Sequence, residues 1–215
     1  MDKLLYFFDP LCGWCYGFSK VIGQIHEKYA DKLDFTVYSG GMITGDQVKP
    51  IGELADFLRG ANEEVEKRSG VKFGEGFKKT IEEGTNKLSS LEPARAISTA
   101  KNMAPHIQIP FAERVQQRIY FDGAEPASLE SYLPLAKEFD LDEKEFREKF
   151  YSNDSITWAV EDFYMTKQFG IQGFPATIIE HKGEYFMVGR GYMPFEMVDE
   201  NIHNVINDLP PGGKD

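Results

Sequence analysis

Leu4, Leu5, Tyr6, Phe7 and Phe8 form an unbroken apolar run that closes at Asp9-Pro10. A segment apolar at every position suits a strand buried on both faces. From Cys12 onward the period changes. Trp14, Phe18, Val21, Ile25 and Tyr29 recur at spacings of three and four and give one apolar helix face. Asp34 to Tyr38 then returns to a short β-rich run. Strand, helix and strand in direct succession predict a right-handed βαβ unit.

Gly40-Gly41-Met42 follows and reads as a turn, the other reading being a border of the active-site groove. The long middle has helical patterning. Helices are expected over Ile51–Ser69, over Gly74–Glu83, from Glu92-Pro93, and from Pro110 to about Phe121. Further helices are expected over Leu129–Phe139 behind an N-cap at Ser128, over Glu143–Tyr151 behind Asp142, and over Ser155–Phe169. The β pattern returns at Ala176–Glu180, turns at Lys182-Gly183, and pairs with Glu184–Val188; Pro194–Asn207 closes the chain as a helix. The expected fold is α/β: one mixed sheet interrupted by an all-helical domain. Residues 1–44 and 170–209 would form the discontinuous sheet domain, 45–169 the helical insertion, and 210–215 a loose tail.

The chain has two cysteines, Cys12 and Cys15, in the order Cys12-Gly13-Trp14-Cys15. A disulfide stabilises by closing a long loop, and this loop is almost as short as a loop can be. Reactivity explains the pair better. It stands where the first strand hands over to the first helix. Free N–H groups and a partial positive charge at a helix N-terminus favour a thiolate over a thiol, which makes Cys12 the expected nucleophile. Cys15 lies one turn further in, less exposed, placed to attack a mixed disulfide formed by Cys12. Zinc needs more ligands than one such pair supplies, and His26, His106, His181 and His203 are scattered, each expected on the surface. No metal and no cofactor are expected.

Charge narrows the partners. Lys and Arg number 24 against 35 Asp and Glu, a formal charge of −11, which disfavours a nucleic-acid partner. The first apolar run is too short for a signal-peptide core, and no stretch of the sequence could span a membrane. A cytoplasmic location is expected.

A second segment, Gly173-Phe174-Pro175-Ala176, precedes the third strand. A proline there can be simple strand punctuation. The sharper reading is a cis bond at Phe174–Pro175 that turns the chain towards the cysteines and leaves the Phe174 backbone to pair with an extended substrate. Trp14, between the cysteines, suits substrate contact and packing equally; Phe18 reads as core.

Asp9-Pro10-Leu11-Cys12-Gly13-Trp14-Cys15-Tyr16-Gly17 and Gly173-Phe174-Pro175 resemble the two signature segments of DsbA-like thioredoxin-fold proteins, in particular the predicted protein-disulfide isomerases related to FrnE. Tyr120-Phe121-Asp122-Gly123 and the Asp162–Gly170 helix extend the likeness into the insertion. The resemblance implies a thioredoxin-like sheet with a helical domain between its second and third strands. It implies Cys12 as nucleophile, Cys15 as resolving thiol and Pro175 as the cis-proline, with Gly13, Trp14 and Phe174 lining the substrate path. One departure stands out. Such proteins often carry a buried acid six positions ahead of the first cysteine, and Tyr6 occupies that place; Asp9 lies closer, in the loop. Gly13-Trp14 also replaces the Pro-His of strongly oxidising members.

The function this supports is thiol–disulfide exchange with protein or small-molecule disulfides and thiols, served by an electron donor or acceptor that the sequence does not name. Two other readings share the scaffold. Glutathione-dependent isomerases of the 2-hydroxychromene-2-carboxylate type usually carry serine at the nucleophile position, so Cys12 and Cys15 argue against that one. A non-catalytic adaptor would hold its partners without needing either cysteine.

Overall fold

The computed structural model describes residues 1–210. Its first strand, β1 (Asp2–Phe8), runs into α1 (Gly13–Tyr29) and then β2 (Leu33–Ser39), which lies parallel to β1 with Tyr6 opposite Val37. This is the expected βαβ opening. The chain then leaves the sheet through β3 (Lys49–Pro50), α2 (Ala55–Ser69), α3 (Glu75–Glu83), β4 (Lys87–Leu88) and α4 (Leu91–Met103). It continues through α5 (Gln108–Tyr120), α6 (Leu133–Glu138), α7 (Glu143–Tyr151) and α8 (Asn153–Gln168). It returns as β5 (Ala176–His181) and β6 (Glu184–Arg190) and ends in α9 (Phe195–Ile206). The sheet order is β2-β1-β5-β6, with β5 antiparallel to both β1 and β6. A parallel pair joined to an antiparallel hairpin, with helices between them, is the thioredoxin-like arrangement expected from the pattern.

β1 is central, and its side chains alternate between two apolar layers. Leu4, Tyr6 and Phe8 face the main core, shared with Phe18, Ile22 and Ile25 of α1 and Phe111 and Val115 of α5. Leu5 and Phe7 point the other way, under Tyr38, Phe169, Ile171 and Phe174. Each fully buried side chain of this size contributes about 1.5–3 kcal/mol, so a strand buried on both faces is a strong anchor for the loop that follows it.

The middle segment departs from the pattern in places. β3 and β4 form a two-residue antiparallel ladder that the sequence does not announce. The helix expected over Leu129–Phe139 splits into a 3-10 turn at Leu129–Ser131 and the short α6. Pro134 sits in the first turn of α6, where its missing N–H does no harm, and it prevents one continuous helix. Ser128 makes no side-chain capping bond, whereas the Asp142 carboxylate accepts from the Glu145 N–H at 2.7 Å as expected of an N-cap. α5 begins at Gln108, ahead of Pro110, and α8 at Asn153 rather than Ser155. The tail expected over 210–215 falls, from Pro211 on, outside the described residues. Among the described residues no helix is long and apolar enough to cross a membrane.

Candidate active site

Pro10 and Leu11 break the strand, and Cys12 becomes the N-cap of α1, with extended backbone at φ −91°, ψ 111°. Its amide donates to the Asp9 carbonyl at 3.0 Å, which turns the chain sharply. Its carbonyl takes the first bonds of the helix, from the N–H groups of Cys15 at 3.0 Å and Tyr16 at 3.1 Å. Cys12 Sγ then does what a Ser or Asp oxygen does at such a position: it accepts the Cys15 N–H at 3.3 Å. The first turn of α1 holds no acidic side chain to oppose negative charge on that sulfur.

The two cysteines are both free thiols, in unequal surroundings. Cys12 keeps 8% of its surface and Cys15 none. Burial pushes the Cys15 thiol well up from its ordinary range, and the hydrogen bond and charge of Cys12 push the same way. Cys15 therefore holds its proton tightly.

The second signature segment meets the first here. The Phe174–Pro175 bond is cis, and the Phe174 carbonyl lies 3.8 Å from Cys12 Sγ, within reach of its S–H. Pro175 is buried at the head of β5, and its carbonyl accepts the Gly191 N–H at 2.8 Å. Phe174 is half-buried. Gly13 and Trp14 lie at the rim, both half-buried. Trp14 packs on the Tyr192 ring at 6.2 Å and carries the Arg68 guanidinium 5.2 Å from its ring centre. Gly13 faces Phe73, Asn62 and Val65. All six residues singled out in the sequence thus lie around one point at the end of β1.

Several residues of the site were not singled out, or were read differently. Asp9 is fully buried, with Oδ1 accepting from the Leu11 N–H at 2.9 Å and the Ser90 hydroxyl at 2.8 Å. Its Oδ2 accepts from the Met42 N–H at 2.7 Å. Burial pushes its carboxyl up, against the pull of those donors. Gln116 adds a bond to the Asp9 carbonyl at 3.3 Å. Tyr6 is buried in the core, stacked on Phe8 at 5.1 Å between ring centres, and its hydroxyl has no partner. Gly40-Gly41-Met42, read as a turn, borders the site: Gly40 lies under the Phe174 ring and Met42 is tied to Asp9. His181, expected on the surface, is 8% exposed because the side chains of Asp2, at 2.6 Å, and Asp208, at 3.3 Å, cover its ring at the end of β5. Among the described residues no group of three His, Cys, Asp or Glu side chains is placed to hold a metal ion.

Comparison with known proteins agrees with this geometry. The model of the DSBA-like thioredoxin domain matches residues 3–202. A candidate protein disulfide isomerase from Nitrosomonas europaea superimposes with a TM-score of 0.83 at 24% identity, covering 96% of this chain and 98% of that one. The cytosolic disulfide reductase DsbM from Pseudomonas aeruginosa gives 0.80 at 24% identity, covering 94% and 96%. A 2-hydroxychromene-2-carboxylate isomerase gives 0.65 at 14%, covering 96% and 97%. These likenesses establish the fold they share. No match was found among curated proteins. With the family model spanning nearly the whole chain, from β1 into α9, the protein belongs to the DSBA-like thioredoxin domain family.

Proposed function

We propose that this protein is a thiol–disulfide oxidoreductase in which Cys12 attacks and Cys15 resolves. One observation carries the reading: Cys12 Sγ caps α1 beside the Phe174 carbonyl, with Cys15 wholly buried one turn behind it. The Cys12 thiolate attacks one sulfur of a substrate disulfide. The substrate S–S bond breaks, its other sulfur leaves as a thiolate, and a Cys12–substrate disulfide forms. Cys15 then gives up its proton and attacks Cys12 Sγ. The second substrate sulfur leaves as a thiol, and the protein holds a Cys12–Cys15 disulfide. Two electrons have passed to the substrate, and an outside thiol or dithiol restores the pair. Run backwards, the same steps oxidise a dithiol.

The likeness to DsbM, described as a cytosolic disulfide reductase and also solved with glutathione, supports the reducing direction, a cytosolic location and a low-molecular-weight thiol as donor. Phe174, Trp14 and Gly13 form the wall along which a disulfide substrate lies. Residues 45–169 act as a helical domain that shapes this wall from one side. The isomerase reading has the fold in its favour and the Cys12–Cys15 pair against it.

The test is turnover. The wild type reduces a model protein disulfide or a glutathione mixed disulfide with thiol supplied in excess, and Cys12→Ser does not. Equal turnover by Cys12→Ser would end the proposal.

A further inference from the structure

We propose that Gly40 is a positioning residue that seats the Phe174 ring and so sets where the Phe174 carbonyl stands relative to Cys12 Sγ; this rests on the oxidoreductase reading above. Gly40 and Gly41 are glycines for different reasons. Gly41 adopts φ +67°, which side chains rarely tolerate. Gly40 is not among the glycines with positive φ, so its backbone would accept an alanine. What excludes a side chain there is the neighbouring ring. A Cβ on Gly40 would fall 2.7 Å from both Cε1 and Cε2 of Phe174, and nearer still to Cζ. Ordinary carbon contact lies at about 3.5 Å, so the ring would have to move by roughly an ångström.

That ring is half-buried and packed on the sheet side, so part of its displacement passes to its own backbone. Phe174 packs against the sheet's second apolar layer, made by Leu5, Phe7, Ala176 and Ile178. Pro175, next to it, is held through its carbonyl by the Gly191 N–H. In this proposal a ring pushed off Gly40 shifts the Phe174 carbonyl, which lies 3.8 Å from Cys12 Sγ.

The seat itself is fixed from three sides. Before it, the Ser39 N–H donates to Asp162 Oδ2 at 3.4 Å and the Ser39 carbonyl accepts from the Thr166 hydroxyl at 3.1 Å, both from α8. At Gly41 the Phe163 ring of α8 lies against the bare Cα, where a Cβ would fall 2.7 Å from its Cγ. After it, the Met42 N–H is bound to Asp9. The end of β2 is thus held between α8 and the loop that carries Cys12. A rigid seat converts one methyl group on Gly40 into a displacement at the site.

The experiment is a double-mutant cycle on Gly40 and Phe174, with Gly60→Ala as control because nothing lies within 4 Å of a Cβ there. Two rates are read: alkylation of Cys12 by iodoacetamide at fixed pH, and reduction of a glutathione mixed disulfide. An ångström of misplacement costs on the order of a hundredfold in rate, so Gly40→Ala should slow disulfide reduction by about that factor. In a Phe174→Ala background, adding Gly40→Ala should change either rate by less than about twofold, because the ring is gone. A loss that persists in that background would overturn the proposal, since a purely structural glycine would not be cured there. So would unchanged rates in a folded Gly40→Ala. Should Gly40→Ala not fold, Phe174→Leu, which shortens the ring but keeps Gly40, must itself alter Cys12 alkylation; an unaltered rate overturns the proposal. Alkylation reports on the Cys12 environment whatever the substrate is, so the positioning claim can stand or fall apart from the activity claim.

Discussion

Lys101→Met should destabilise the protein by about 3–5 kcal/mol at neutral pH, the usual cost of leaving one member of a buried ion pair alone. Lys101 Nζ lies 2.7 Å from Oδ1 and 3.0 Å from Oδ2 of Asp162, and 2.9 Å from the Val37 carbonyl. The two side chains are 21% and 6% exposed. At an effective dielectric of about 20 the attraction at such distances is roughly 6 kcal/mol, offset in part by the loss of hydration on both sides. Burial pushes the Asp162 carboxyl up, and the Lys101 ammonium pulls it down. Removing Lys101 leaves burial unopposed except by the Ser39 N–H and Ser98 hydroxyl. The sign follows. A carboxyl raised above its unfolded value of 3.8 holds its proton more tightly in the native state. Its contribution to stability is therefore greatest below 3.8 and is lost as pH rises through the folded value. Lys101→Met lifts that folded value further, so the deficit against wild type should be small in acid and grow towards neutral pH. Urea unfolding of both proteins across this range measures it. A second variant, Lys101→Met with Asp162→Leu, should recover most of the loss. A deficit below about 1 kcal/mol at neutral pH, or one that does not vary with pH, would mean that Lys101 does not hold the Asp162 charge in this way.

Asp9→Ala should cost about 1–3 kcal/mol for the buried Leu11 N–H it strands, and less for the part-buried Met42 N–H, as read by denaturant midpoint. His181 is raised by its bond to Asp2 first and by Asp208 second. Its contribution should be full below the ordinary histidine value and disappear as pH rises through the folded one, and His181→Gln should flatten that part of the pH–stability curve.

The sheet and the two signature segments were legible because their signals are local. An apolar run, a change of period and a Cys pair all lie within the first thirty residues, and the Phe174-Pro175 step announces itself beside β5. What escaped depends on distant partners. Asp9 looks like a loop acid until Met42 and Ser90 arrive from elsewhere in the chain to bind it. Gly40 looks like half of a turn until Phe174 is placed over it. His181 looks like a surface residue until Asp2 and Asp208 enclose it from the two ends of the fold. Lys101 and Asp162 stand on exposed-looking helices whose buried sides only the packing of α4 on α8 reveals. Pro134 is the reverse case: its local signal lies in the sequence, inside the helix expected over Leu129–Phe139, and it ends up in the first turn of the short α6.

In the proposed reaction Cys12 attacks first and Cys15 second, and intact-mass analysis of two single variants reads that order. Cys15→Ser, reduced and then given a slight excess of a protein or glutathione disulfide, should gain one substrate thiol, and peptide mapping should place it on Cys12. The adduct should persist until a reducing thiol is added, because the resolving sulfur is gone. Cys12→Ser should gain almost nothing, because Cys15 has no exposed surface from which to attack. Equal adducts on both variants, or an adduct carried mainly by Cys15, would show that Cys12 is not the attacking thiol.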